Sequence, residues 1–206
     1  MKQVNKTEYS FSAYCGIDRW SSYHYQIREI LKKNPSDVLE VGTGDGVLKN
    51  YLTNNTEIVY KNLDIAEDLN PDVLGSVDNI PLQMSSYDLV CAFEILEHLP
   101  FDKFEVSLRE LSRVSRGDVL LSLPHFGPAV KVLLKIPFFP EVKFSFKVPY
   151  PKKHTFNGQH YWEIGKRGYP LSRIRKSIKK YFVITDEFVS FENQYHHFFV
   201  LEKWKP

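Results

Sequence analysis

The chain has 206 residues, of which 43% are hydrophobic and 25% charged, with a formal net charge of +2. That size and balance suit one globular domain and exclude collagen-like, coiled-coil and mostly disordered chains. No apolar run approaches the roughly 20 residues needed to span a bilayer. The opening Met1-Lys2-Gln3-Val4-Asn5-Lys6 lacks the apolar core of a secretory signal, and the lone pair Cys15 and Cys91 reads as reduced thiols of a cytoplasmic protein.

Residues 1–18 show no period, although they hold Tyr9, Phe11 and Tyr14. From Trp20 to Lys33, Tyr23, Ile27, Ile30 and Leu31 recur at helical spacing, and Asn34-Pro35 ends the helix. Asp37-Val38-Leu39-Glu40-Val41 reads as a buried strand that runs into Gly42-Thr43-Gly44-Asp45-Gly46 and then a helix from Val47. Ile58 to Leu63 forms a second strand ending at Asp64. Residues 65–86 are polar and broken by prolines, so elements there are short. Tyr87 to Phe93 is a strand, Phe101 to about Ser115 a helix with Phe104, Leu108, Leu111 and Val114 on one face, and Val119 to Leu123 a strand stopped by Pro124. Leu171 to Lys180 predicts a basic helix. Tyr181–Thr185 and Tyr195–Leu201 predict two closely joined strands, which must be antiparallel. Apolar strands alternating with helices indicate a mostly parallel sheet covered on both faces.

Residues 125–169 are of another kind. They hold Pro128, Pro137, Pro140, Pro149 and Pro151 and many aromatics. A connection this long predicts a functional cap inserted in one domain spanning 1–206. Charge is also uneven: residues 1–130 sum to −7 and residues 131–206 to +9. The basic half reads either as a solvated face or as a surface for an anionic partner.

A strand, a Gly-x-Gly-x-Gly turn and a helix make a nucleotide-binding turn, in which the backbone approaches a ligand closely. Asp64 closes the next strand, 24 residues after Glu40, where an acid can hold ribose hydroxyls. The dinucleotide fingerprint fails, because Val47 stands where its third glycine belongs. Glu40, two residues before the first glycine, would repel a pyrophosphate and suits a ligand with a positive centre.

These residues resemble motif I of the class I S-adenosylmethionine-dependent methyltransferases. Ser76-Val77-Asp78-Asn79-Ile80-Pro81-Leu82 is similar to the family's adenine loop, and Tyr87 to Leu99 to the strand and loop facing the sulfonium. Glu110-Leu111-Ser112-Arg113-Val114 is similar to the type 11 branch, although Ser115-Arg116-Gly117-Asp118 replaces its usual Lys-Pro-Gly-Gly. The resemblance implies an α/β, Rossmann-like, doubly wound, mostly parallel seven-stranded sheet with a C-terminal antiparallel hairpin. It implies that S-adenosylmethionine is the cofactor and that Gly42, Thr43, Gly44 and Gly46 line its methionine and ribose part. Glu40 would lie near the amino-acid portion, and Asp64 and Ile65 by the ribose. Asp78, Asn79 and Ile80 would meet the adenine, and Phe93 would lie against the cofactor.

Methyl transfer is an in-line displacement, so alignment and exclusion of water matter most. Glu94, Glu97 and His98 are the candidates for a general base, although Glu-His-Leu-Pro also resembles a common structural helix start. His125, His160, Tyr161 and Trp162 of the insert are the candidates for acceptor binding. His196 and His197 are adjacent on a strand and point to opposite faces, and no metal site is predicted. A small-molecule acceptor on O, N or C is expected. A nucleic-acid acceptor is disfavoured because Phe93-Glu94-Ile95-Leu96 replaces the Asn/Asp-Pro-Pro-aromatic run of amino-methylating enzymes. A non-catalytic cofactor-binding subunit is the remaining alternative. The basic, apolar stretches 131–139 and 143–147 also admit peripheral membrane contact, which ranks below the cap reading.

Overall fold

In the computed structural model, residues 10 and 14–204 are described; Tyr9 and Phe11 lie outside them. Helix α1 spans Ile17–Lys33 and buries Tyr23, Gln26 and Ile30. It begins three residues before the apolar period does, with Asp18 in its first turn, where a carboxylate complements the helix dipole. Asn34 ends it in the left-handed conformation, its N–H on the Leu31 carbonyl.

Seven strands form one sheet in the order β3-β2-β1-β4-β5-β9-β8. They are β1 (Asp37–Val41), β2 (Val59–Asp64), β3 (Val73–Leu74), β4 (Tyr87–Phe93), β5 (Ser115–Pro124), β8 (Phe182–Val189) and β9 (His196–Lys203). The pairs among β1 to β5 are parallel, and β9 runs antiparallel to both β5 and β8. The predicted sheet and its C-terminal hairpin are thus present. Strand order reverses between β1 and β4, and a ligand crevice is expected beyond their carboxyl ends.

Alternate residues of β1 feed two cores. Leu39 and Val41 join α3 (Phe104–Val114) and α4 (Leu171–Ile178) on one face. Val38 joins Ile30 of α1 and Leu48 and Leu52 of α2 (Val47–Asn55) on the other. Strand β5 is longer than its apolar run predicts. A register shift lets Tyr87 pair with Ser115, and Arg116 bridges Asp88 at 2.8 Å and also bonds Asp37. The residues that replace Lys-Pro-Gly-Gly therefore extend the sheet.

The segment 125–169 divides in two. Strands β6 (Ala129–Leu134) and β7 (Val142–Lys147) form a separate two-stranded hairpin with exposed apolar side chains. The return segment packs into the main core instead. Ile164 pairs with His125, and its N–H reaches the Pro124 carbonyl at 2.9 Å. Trp162 is wholly buried between Phe101 and Phe104, ring centroids 5.1 and 5.0 Å away, and donates Nε1–H to the Leu99 carbonyl at 3.1 Å. Among the described residues no helix is long and apolar enough to cross a membrane.

Candidate active site

A cavity of about 340 Å³ opens at the carboxyl ends of β1 and β4. The β1–α2 turn forms its floor. Gly42 and Gly44 take φ values of 95° and 54°, the left-handed region open to glycine. A Cβ added at Gly44 would meet no protein atom within 4 Å, and Gly44 lines the cavity, so the space beside it is there for a ligand. Gly46 does not line the cavity; at φ 76° it precedes α2 and turns the chain into it. Asp64 at the end of β2 accepts the Thr43 N–H at 2.7 Å and the Ala66 N–H at 2.8 Å, which fixes its carboxylate at the cavity edge. The cavity also reaches Thr43, Glu40 and Phe93.

Glu40 is buried and accepts the Tyr60 hydroxyl. Burial pushes its pKa up to about 8, against the lowering by Tyr60, with Asp45 and Asp64 adding to the rise. A buried acid facing a cavity fits a ligand that carries positive charge. The glycine cradle, Asp64 and Glu40 together fit S-adenosylmethionine.

Three residues expected at the adenine lie outside this cavity. Asp78 accepts from Ser76 at 2.5 Å and pairs with Lys103 at 3.3 Å, Asn79 closes a turn on the Ser76 carbonyl, and Ile80 is buried in the core. Ile65, just after β2, is exposed and does not line the cavity.

The other wall is polar. Glu94 lies just after β4 with φ 54°, a strained conformation for a residue with a side chain. Glu94, His98, Gln159, His160, Tyr195 and His196 line this wall. Burial pushes Glu94 up to about 8 and lowers His98 to about 4 and His196 to about 3, so both imidazoles are neutral. Glu97 is wholly buried behind His98. From the other side α1 closes the cavity with Arg19, Tyr23 and Gln26, and Tyr23 donates to Asp45 at 2.6 Å, tying the helix to the glycine turn.

The insert residues separate. His160 reaches the cavity, but the other three expected acceptor residues do not. His125, just beyond β5, is buried against His197, Nδ1 to Nδ1 at 2.8 Å. Tyr161 packs on Phe156 at 4.5 Å, and Trp162 belongs to the core. Sequence reasoning missed Tyr14, Arg19, Tyr23, Gln26, Gln159 and Tyr195 among the lining residues. Their signal was three-dimensional: each comes from an element far from the glycine motif. His196 and His197 do face opposite ways, His196 toward Glu94 at 3.7 Å and His197 toward Glu187 at 2.7 Å.

The sheet order and the crevice at its switch point are those of the class I S-adenosylmethionine-dependent methyltransferase fold. Residues 39–123 match the family model of a methyltransferase domain. Solved structures of the same fold include the N-methyltransferase NodS from Bradyrhizobium japonicum in complex with S-adenosyl-L-homocysteine. It is 7% identical with a TM-score of 0.61, covering 92% of this chain and 89% of that one. Magnesium protoporphyrin IX methyltransferase from Synechocystis is 13% identical with a TM-score of 0.60, covering 91% and 81%. The 1,6-didemethyltoxoflavin N1-methyltransferase from Burkholderia thailandensis is 14% identical with a TM-score of 0.57, covering 100% and 93%. No curated protein matches the chain.

Proposed function

We propose that this methyltransferase acts on a hydroxyl oxygen of a small acceptor held between Phe93 and the wall formed by Glu94, His98, His160, Tyr195 and His196. The carrying observation is that wall: the neutral imidazoles of His98 and His196 accept hydrogen bonds from hydroxyls, and with Glu94 they border a cavity of small-molecule size. S-adenosylmethionine, when bound, supplies an activated methyl group. Gly42, Thr43, Gly44 and Asp64 hold it, and Glu40 compensates its positive charge. The chain's own part is to orient the acceptor, exclude water and take its proton, for which Glu94 is placed. Fold neighbours named for flavin-like and porphyrin acceptors are consistent with a small acceptor. The basic helix α4 offers little to nucleic acid: Arg175 pairs with Glu187 at 2.7 Å, Lys180 with Glu105 at 2.6 Å, and Arg173 lies over Phe101 at 4.3 Å.

The whole chain acts as one domain in this reading, and the cap narrows to the return segment around Gln159 and His160. Transfer of labelled methyl to panels of hydroxylated small molecules, amines and duplex oligonucleotides tests the reading. Hydroxyl acceptors should be labelled. Efficient labelling of oligonucleotides or of amines alone would overturn it.

Two outcomes follow for the cofactor. Asp64→Ala should weaken S-adenosylmethionine binding by about 1.5–3 kcal/mol, the range for a hydrogen bond to a charged group, as read by calorimetry. Unchanged affinity would move the ribose to another acid, such as Asp68. For Glu40 the sign is set by its raised pKa: between its ordinary 4.5 and about 8 the folded chain holds a proton that the unfolded chain has lost, so stability falls as pH rises through that window. A cationic ligand favours the ionised form, so binding near pH 7 should release a proton. Calorimetry in buffers of different ionisation enthalpy reads that proton, and Glu40→Gln should abolish its release.

A further inference from the structure

We infer that Glu97, His98 and His160 form a binding site for one divalent transition-metal cation beside the acceptor side of the cavity. Their ligand atoms all lie within 4.8 Å of one another. Glu97 is the strongest sign. It is 0% exposed, and neither carboxylate oxygen has a hydrogen-bond partner. Leaving such a group buried and unpaired is costly, so it needs a cation or must stay neutral.

The partners of the two histidines point the same way. His160 Nδ1 lies 3.3 Å from Glu163 Oε1, which also accepts the Tyr195 hydroxyl at 2.8 Å. A carboxylate there holds the proton on Nδ1 and leaves the Nε2 lone pair facing Glu97 Oε1, 3.9 Å away. His98 hydrogen-bonds the Gln159 carbonyl through Nδ1 at 3.2 Å and the Glu94 backbone as well, which orients its ring. Ligands on a cation at about 2.1 Å sit roughly 3–4 Å apart, so side-chain shifts below about 1 Å close the site. Two imidazoles and one carboxylate suit zinc, cobalt, manganese or iron in the divalent state rather than calcium.

His98 and His160 line the cavity and Glu97 lies behind them. The cation's open positions therefore face the acceptor, and an acceptor oxygen is the ligand they would take. That last step deepens the reading of a hydroxyl acceptor and rests on it; the cation site itself does not.

Cobalt(II) titration of the chelator-treated full chain, followed by visible absorption and calorimetry, tests the site. One Co²⁺ per chain is expected, with binding lost in Glu97→Gln and His160→Ala. Glu163→Gln should bind about 10–100-fold more weakly, as loss of a ligand's orienting partner does, and it keeps the test decisive if either other variant fails to fold. S-adenosylmethionine affinity should be unchanged in Glu163→Gln. No cobalt spectrum with the unmodified chain, or equal binding by folded variants, would overturn the site. Cobalt binding without labelling of any hydroxyl acceptor would instead overturn the acceptor reading alone.

The β6–β7 hairpin carries a second inference independently: we propose that its tip docks on an anionic lipid surface. Leu133, Leu134, Ile136, Phe139, Val142 and Phe144 are all exposed, and Phe138 at the tip is 105% exposed. Segment 126–156 holds six lysines and one acid; Lys143 pairs with Glu192 and Lys147 is held by the His125 and Gly127 carbonyls, so it is Lys131, Lys135, Lys152 and Lys153 that complement an anionic bilayer. Sedimentation with phosphatidylcholine vesicles, with and without phosphatidylglycerol, reads it. Binding only to the anionic vesicles is expected, weakened by salt and lost in Phe138→Asp/Phe139→Asp, with S-adenosylmethionine binding kept. No vesicle binding would overturn the proposal, as would self-association of the free chain that the same double variant abolishes.

Discussion

Gly44→Val is expected to weaken S-adenosylmethionine binding at least about 100-fold, close to 3 kcal/mol, while the chain stays folded. Two physical effects are separable here. The first is backbone strain: Gly44 takes φ 54°, and a side chain in this region costs about 1–2 kcal/mol, more for a β-branched one. That strain acts on stability. The second is occupation. No protein atom lies within 4 Å of a Cβ at Gly44, so the added Cβ clashes with nothing in the free chain and the methyls beyond it extend into cavity space. Gly46→Ala is the control. It takes a side chain at φ 76°, also with nothing within 4 Å, but does not line the cavity. It should lower the melting temperature as Gly44→Val does and retain most of the cofactor affinity. Calorimetry with the cofactor and thermal unfolding of both variants make the check. If Gly44→Val binds like the parent, the cradle does not hold the ligand.

What the sequence made legible and what it hid divide along one physical line. Local pattern gave the strands, because Val38-Leu39-Glu40-Val41 and Tyr87–Phe93 are apolar runs buried on both faces and bounded by turn residues. The glycine turn and Asp64 were legible because a strand end dictates where they go. Contacts between distant segments were not. Glu97 and His160 are 63 residues apart, and nothing local shows that Tyr161 N–H bonds the Glu97 carbonyl and brings His160 in beside it. The insert misled for a related reason. Its aromatic richness read as one cap, yet the hairpin stays in solvent while Trp162 and Ile164 of the return segment join the core.

Trp162 shows that second fate most sharply, and Trp162→Ala is expected to cost about 3–5 kcal/mol of stability, the range for deleting a buried large aromatic. Its ring has no exposed surface and fills the space between Phe101, Phe104 and Tyr169. Removal leaves a cavity and also strips the Leu99 carbonyl of its Nε1–H donor. An acceptor-binding tryptophan would behave otherwise: its loss would raise KM and leave the denaturation midpoint in place. Urea unfolding followed by circular dichroism separates the two. A midpoint shift well beyond that of Tyr161→Ala, which removes a ring that is 38% exposed, is the expected result, and equal midpoints would return Trp162 to the acceptor site. The same packing couples the core to the chemistry. His160 stands two residues before Trp162, and the Tyr161 N–H between them is bonded to the Glu97 carbonyl at 2.9 Å. Anchoring the indole therefore fixes where His160 sits relative to Glu97. Trp162→Phe, which keeps most of the ring volume but loses the Leu99 bond, should retain most stability and still weaken cobalt binding, because the return segment gains freedom where the imidazole must be held.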